Sequence, residues 1–236
     1  MIIGNGFLAK AFKKKFSKEK KIVIFASGVS NSKEKDKKRF RREIKLLKKF
    51  ILLEDITLVY FSTCSVSSII KNSYILHKTK IEKLIRRNFK KYFIFRLPQV
   101  IGDTYNLNLF VNYFYYNIKK NIPFELWKNS IRNLIDIRDV LKIVTFFIKE
   151  EIRINKTTTI ASPYNTKVIW VINVLEKILR NKAIYTKVSS NMAKIRIGKL
   201  HYLKFKKKIR INFYKDYYIK ILYKYYKNRI LRKFHY

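Results

Sequence analysis

Short runs of apolar and β-branched residues alternate along the chain with longer, lysine-decorated segments whose apolar positions recur at helical spacing. "MII" precedes a helical pattern over residues 7 to 18, "KIVIFAS" one over 33 to 53, "ITLVYFS" one over 72 to 89, and "YFIFRL" one over 107 to 120. Strands are read from β-branched and aromatic density in short runs, helices from the period of about 3.6 residues sustained over longer ones. Their alternation predicts an α/β fold, a parallel sheet with helices on both faces. Farther on come the strand-like "IRNLIDI", a helix starting near Asp136 or Arg138, the strand-like "TTTIAS", and a helix from about Thr166 to Arg180. Pro163 and Asn165 mark the turn between the last two. From about Asn191 the alternation fades into basic and aromatic residues. "FYKDYYIKILYKYYKNRILRKF" keeps helical spacing, with Tyr, Ile and Leu on one side and Lys or Arg on the other, and predicts a C-terminal helix packing its aromatics on the domain. The chain is therefore divided into an α/β domain over residues 1–190 and a small basic, aromatic helical region over 191–236.

Charge changes this picture less than its size suggests. The 55 Lys and Arg against 15 Asp and Glu give a formal charge of +40, a balance that points to nucleic acid, anionic lipid or a phosphorylated substrate. Lys, Ile, Asn, Tyr and Phe are all abundant while Gly is 5 and Pro 3, the outcome of an adenine- and thymine-rich coding sequence. The basic residues are also spread along the whole chain, so no specific nucleic-acid surface is expected. The single cysteine, Cys64, excludes an internal disulfide framework and any multi-cysteine zinc site, and no metal is expected. No apolar run reaches membrane-spanning length, which makes the cytoplasm the default compartment.

Three stretches carry candidate chemistry. "MIIGNGFLAKAF" places Gly4, Gly6 and Ala9 in a Gly-x-Gly-x-x-Ala pattern directly after the first strand and opening a helix. Glycines there allow a tight turn and close approach to a pyrophosphate seated on the helix N-terminus, and a small third residue lets helix and sheet pack closely. "LVYFSTCSV" ends a strand in Ser62, Thr63, Cys64 and Ser65. Tyr74 and Lys78 follow, one helical turn apart, where a nearby ammonium favours the phenolate. Tyr-x-x-x-Lys occurs five times in this chain of 17 Tyr, and about three would arise by chance. Only the pair at Tyr74 and Lys78 follows a strand that ends in hydroxyls. The others are Tyr115 and Lys119, Tyr116 and Lys120, Tyr202 and Lys206, and Tyr223 and Lys227.

The order of the glycine pattern, "IFAS", "FSTCSV", "YILHK", "FRLPQVIG" and "RNLIDIRDV" resembles the extended short-chain dehydrogenase/reductase superfamily, in its NAD-dependent epimerase/dehydratase branch, over about residues 1 to 181. The resemblance implies a Rossmann-type domain, NAD or NADP as cofactor, and a nucleotide-activated sugar as substrate. It implies Thr63, Tyr74 and Lys78 as the catalytic set, with Tyr74 as general acid/base and Lys78 also on the nicotinamide ribose. Gly4, Gly6, Ala9, Ala26 and Ser27 would line the cofactor. Arg96, Pro98, Gln99 and Gly102 match a substrate-contacting stretch in which Gln99 replaces the usual Asn. Arg132 resembles the arginine that binds the substrate's diphosphate. Asp139 matches an acidic residue at the next helix start, where favourable charge at a helix N-terminus explains it equally well. His77 has no matching role and is expected on the surface. A homodimer is compatible with the resemblance.

Two departures set further expectations. "VIFASGVSNS" follows the first helix at once, so a strand-helix-strand piece of the first mononucleotide half is missing, and with it the acidic ribose ligand about twenty residues after the glycines. Cys64 and Ser65 also stand where dehydratases of the family carry Asp-Glu, which disfavours 4,6-dehydration and leaves epimerisation or carbonyl reduction. The alternatives are a non-catalytic module that keeps the fold and, less favoured, a basic nucleic-acid binder.

Overall fold

The structure, a computed structural model, describes residues 1–53, 55–189, 197–227 and 229. In chain order its elements are β1 (Ile2–Ile3), α1 (Phe7–Phe16), β2 (Ile22–Phe25), α2 (Lys37–Lys48), β3 (Thr57–Thr63), α3 (Ser73–Asn88), β4 (Lys91–Leu97) and β5 (Gln99–Ile101). These are followed by α4 (Phe110–Lys119), β6 (Phe124–Trp127), β7 (Ile131–Asp136), α5 (Ile137–Lys149), β8 (Lys156–Thr159), β9 (Asn165–Lys167) and α6 (Val168–Leu179). Last come β10 (Tyr185–Val188), α7 (Lys206–Ile209) and α8 (Tyr217–Leu222), which runs on as a π-helical turn over Tyr223–Lys227. The chain forms two interleaved units, one of Met1–Leu97, Ile137–Ile160 and Arg196–Arg210, the other of Pro98–Asp136, Ala161–Ile195 and Ile211–Tyr236. The boundary expected at residues 190 and 191 lies outside the described residues.

The first unit holds a sheet in the order β1-β2-β3-β4-β8, every neighbouring pair parallel. Successive side chains on a strand point to opposite faces, and both faces here are covered. On one face, Leu58 and Tyr60 of β3 and Ile94 of β4 pack with Leu47 of α2 and Ile81 and Ile85 of α3. On the other, Phe61 of β3 meets Phe12 of α1 with ring centres 5.1 Å apart, and its register partner Phe95 meets Phe147 of α5 at 6.2 Å. This is the α/β architecture expected from the alternation of elements, and it is Rossmann-type as the resemblance implies.

The sheet order explains the missing piece. The strand carrying the glycine turn, β1, lies at the edge, with β2 beside it and no described strand beyond. The links β1 to β2, β2 to β3 and β3 to β4 step the same way through the sheet, so the face taken by each helix sets the hand of its crossover. α1 lies opposite α2 and α3, so the β1-α1-β2 unit has the opposite hand to the two that follow it. About 98% of such crossovers are right-handed. This hand is the one expected where a strand-helix-strand piece is absent between α1 and the next strand.

In the second unit β7 pairs in parallel with β5 and antiparallel with β9, while β6 and β10 form a separate parallel pair. The core there joins α4, α6 and α8 through Phe114, Ile118, Val171, Leu175, Ile221 and Leu222. The helix expected from Thr166 begins at Val168 because Asn165–Lys167 is drawn into β9, with Thr166 opposite Arg132. Among the described residues no helix is long and apolar enough to cross a membrane.

Candidate functional site

The glycine turn joins β1 to α1. Gly4 has φ +116°, and a Cβ there would stand 2.7 Å from the Ala26 carbonyl oxygen and 3.0 Å from the Ser27 nitrogen. An L side chain is excluded by both conformation and space. Gly6 is different: it caps α1 in an ordinary extended conformation, φ −74°, and a Cβ would meet nothing within 4 Å. The fold does not require glycine at this position. Open space over a helix start that has no side-chain cap is the shape a phosphate needs, because the first N–H groups and the helix dipole face it. Ala9 is buried behind the turn, and Ala26 and Ser27 line its flank. Arg42 of α2 donates to the Ser27 carbonyl at 2.9 Å. The pyrophosphate part of a dinucleotide fits these residues.

α3 places the next group. Asn72 caps the helix by accepting from the Ile75 N–H at 2.9 Å, which sets Tyr74 in the first turn. From there Tyr74, His77, Lys78, Ile81, Glu82 and Ile85 follow the i, i+3, i+4, i+7 stripe that faces the sheet, and all are buried. Four polar side chains thus occupy core positions. The Thr63 side chain at the end of β3 acts on the Tyr74 hydroxyl in the sense that favours its ionised form, and the Lys78 ammonium lies 5.9 Å from the centre of the Tyr74 ring. Thr63, Tyr74 and Lys78 are therefore brought together.

Lys78 is not free to act on Tyr74 alone. At 3% exposure it donates to Oε1 of Glu43 at 3.1 Å and to the Tyr60 hydroxyl at 2.8 Å, two of the three bonds an ammonium makes. Glu43 reaches in from α2 and is fully buried. It also accepts from the Val29 N–H at 2.7 Å and the Tyr60 hydroxyl at 2.7 Å, and Nε2 of His77 lies 2.9 Å from its Oε2. Gly28 makes the room: a Cβ there would lie 2.7 Å from Glu43 Oε1 and 2.8 Å from Lys78 Nζ. His77 corrects the surface position expected for it. It is buried because it falls on the core stripe, where Phe40 stacks on its ring at 4.5 Å and Glu43 meets its nitrogen.

Burial raises the Glu43 carboxyl, but the Lys78 charge and the bonds from His77, Val29 and Tyr60 outweigh it and hold the group well below the usual carboxylate range. Tyr74 moves the other way. Burial first, and the Glu43 charge second, push its phenol well above the ordinary tyrosine value, with the nearby Thr63 side chain opposing them. This is opposite to the direction Lys78 alone would give.

The remaining expected residues divide by unit. In the first, Arg96 forms a two-point ion pair with Glu82, Nε to Oε1 at 2.9 Å and Nη2 to Oε2 at 2.6 Å, and Ser62 donates to the same carboxylate at 2.7 Å. Cys64 is buried, its thiol pushed up to about 12 by desolvation, so it holds its proton. Asp139 sits in the first turn of α5, where its charge adds to the burial that raises the phenol of Tyr202. In the second unit Gln99 lies opposite Leu134 in the β5-β7 register, and Gly102 is buried, its carbonyl accepting from Arg229 at 3.2 Å. Arg132 lies against the Phe110 ring at 5.6 Å and donates to the Ile131 carbonyl. Burial lowers its pKa, and no carboxylate pairs with it among the described residues. An under-compensated guanidinium of this kind suits an anionic ligand.

Sequence reasoning missed Glu43 and Gly28. A signal for Glu43 was present: it falls between Phe40 and Leu47 on the apolar stripe of α2, an acid at a core position in an otherwise basic segment.

No family model and no curated protein matches this sequence. Solved structures match in fold. UDP-glucose 4-epimerase of Thermus thermophilus, in complex with NAD, is similar at TM-score 0.67 and 13% identity over 93% of this chain and 81% of its own. UDP-glucuronic acid 4-epimerase from Bacillus cereus, with UDP-glucuronic acid and NAD, is similar at TM-score 0.69 and 15% identity over 95% and 79%. RMD from Pseudomonas aeruginosa, complexed with NADPH, is similar at TM-score 0.67 and 14% identity over 89% and 82%. The chain shares their fold.

Proposed function

We propose that this chain is an NAD- or NADP-dependent oxidoreductase or epimerase acting on a nucleotide-activated sugar. The observation that carries the reading is Tyr74 with Lys78 one helical turn along and Thr63 at the adjoining strand end, in the same unit as a glycine turn whose second glycine opens onto empty space. The likeness in fold to structures that hold NAD or NADPH, some with a UDP-sugar, supports it. Gly4, Gly6 and the start of α1 would hold the pyrophosphate, with Ala9 behind them and Ala26, Ser27 and Lys78 beside the cofactor. When bound, the nicotinamide supplies or accepts the hydride. Thr63 would hold the sugar oxygen that gains or loses a proton, and Tyr74 would move that proton. Arg132 would pair with the diphosphate and Gln99 would contact the sugar.

Turnover of UDP-sugars with either dinucleotide, compared between the parent protein and Tyr74→Phe, tests this. A loss of about a hundredfold or more is expected, since removing a general acid/base typically costs that much. Equal turnover in the two proteins contradicts it. The edge position of β1 favours one second reading, a module that keeps the fold without catalysis. Such a module would show no saturable dinucleotide binding that depends on Gly6.

A further inference from the structure

We propose that Glu43 is a positioning residue: by holding Lys78 it cancels the charge that would otherwise favour ionisation of Tyr74. This rests on the function proposed above and goes beyond it in assigning Glu43 a role at that site.

The argument starts from the groups that face Tyr74. From β3 come Thr63, at the strand end, and Tyr60, a neutral phenol bonded to both Glu43 and Lys78. From α3 come Lys78 and His77, from α2 Glu43, and the loop after β2 contributes the apolar Val29. Lys78 is the cation that would stabilise a phenolate. Its charge is matched by a carboxylate 3.1 Å away, much closer than the 5.9 Å that separates the ammonium from the Tyr74 ring centre. Seen from Tyr74 the two charges largely cancel, and burial at 7% exposure then disfavours ionisation.

Four contacts hold Glu43 ionised, so the cancellation persists across the neutral range. Gly28 belongs to the same device, because a side chain there would displace the Glu43 and Lys78 head groups.

The test is a titration of the phenol itself, without substrate. Tyrosine labelled with carbon-13 next to the hydroxyl is followed by NMR, and the Tyr74 signal is assigned by its loss in Tyr74→Phe. In the parent protein that signal is expected to hold its phenol position from about pH 6 to about pH 10. In Glu43→Gln, which leaves the Lys78 charge uncompensated, its midpoint is expected to fall by about one pH unit or more. A parent midpoint below about pH 9, or a Glu43→Gln midpoint equal to the parent's, overturns the proposal. Should Glu43→Gln fail to fold, the parent titration decides alone. Dinucleotide binding is measured on the same samples: its absence overturns the enzyme reading, and the midpoints then still decide what Glu43 does to Tyr74.

Discussion

Nζ of Lys78 and Oε1 of Glu43 lie 3.1 Å apart in the core of the first unit, with the Tyr60 hydroxyl bridging them and Gly28 leaving the space they fill. A buried pair of this kind is destabilising to break and nearly neutral to replace whole. Glu43→Gln is therefore expected to cost about 3–5 kcal/mol in urea unfolding, and the double variant Glu43→Gln with Lys78→Met markedly less. Equal losses in the two proteins would show that the charges do not act as a pair.

The two glycines of the turn separate folding from binding. Gly4→Ala places a side chain at φ +116° against the Ala26 carbonyl and is expected to destabilise by about 1–3 kcal/mol. Gly6→Ala enters open space from an ordinary backbone conformation. It is expected to cost about 1 kcal/mol or less, from replacing a tolerated N-cap residue, while weakening dinucleotide affinity. Thermal unfolding and a binding titration on both variants check this. A Gly6→Ala protein as unstable as Gly4→Ala would mean that the second glycine serves the fold.

Arg132 gives a prediction in the second unit. Its guanidinium pairs with no carboxylate among the described residues and lies over the Phe110 ring. Arg132→Gln is expected to cost about 1 kcal/mol or less in stability. The same change should weaken UDP binding about tenfold or more, since a charge-assisted bond is lost. Unchanged UDP affinity by calorimetry would remove Arg132 from the site.

Alkaline pH tests the buried phenols. Burial raises the pKa of Tyr60, with the Glu43 charge adding to it. Below about pH 10 both folded and unfolded chains hold this proton and stability is unaffected; above it the unfolded chain releases a proton that the folded chain keeps, so stability falls as pH rises. Relief of lysine repulsion acts in the opposite sense, but equally in the parent and in Tyr60→Phe. The drop in urea midpoint between about pH 9 and 11 should therefore be steeper in the parent than in Tyr60→Phe. Parallel profiles would argue against a buried, neutral Tyr60.

Much of the first unit was legible because its elements are long and periodic. All four of its early strands and three early helices fall where the apolar runs and helical spacings put them, and the shortened first half follows from "VIFASGVSNS" coming straight after the first helix. The strands β5, β6, β9 and β10 span three or four residues each, too few for alternation to show, and long-range pairing sets them. Thr63, Tyr74 and Lys78 could be singled out because they share a strand end and one helix. Glu43 could not be joined to them, since α2 brings it in from 35 residues away. His77 has no role in the resemblance, but its place three residues from Tyr74 puts it on the core-facing stripe of α3, where it is buried.

The most direct test of the whole account is a fluorescence titration of the full chain with NADH and NADPH, repeated with Gly6→Val, whose side chain would fill the open space over the start of α1. Saturable binding of at least one dinucleotide is predicted, lost in Gly6→Val while that variant still unfolds in one cooperative thermal transition. Binding of neither dinucleotide by the parent, or equal binding by Gly6→Val, would contradict the account.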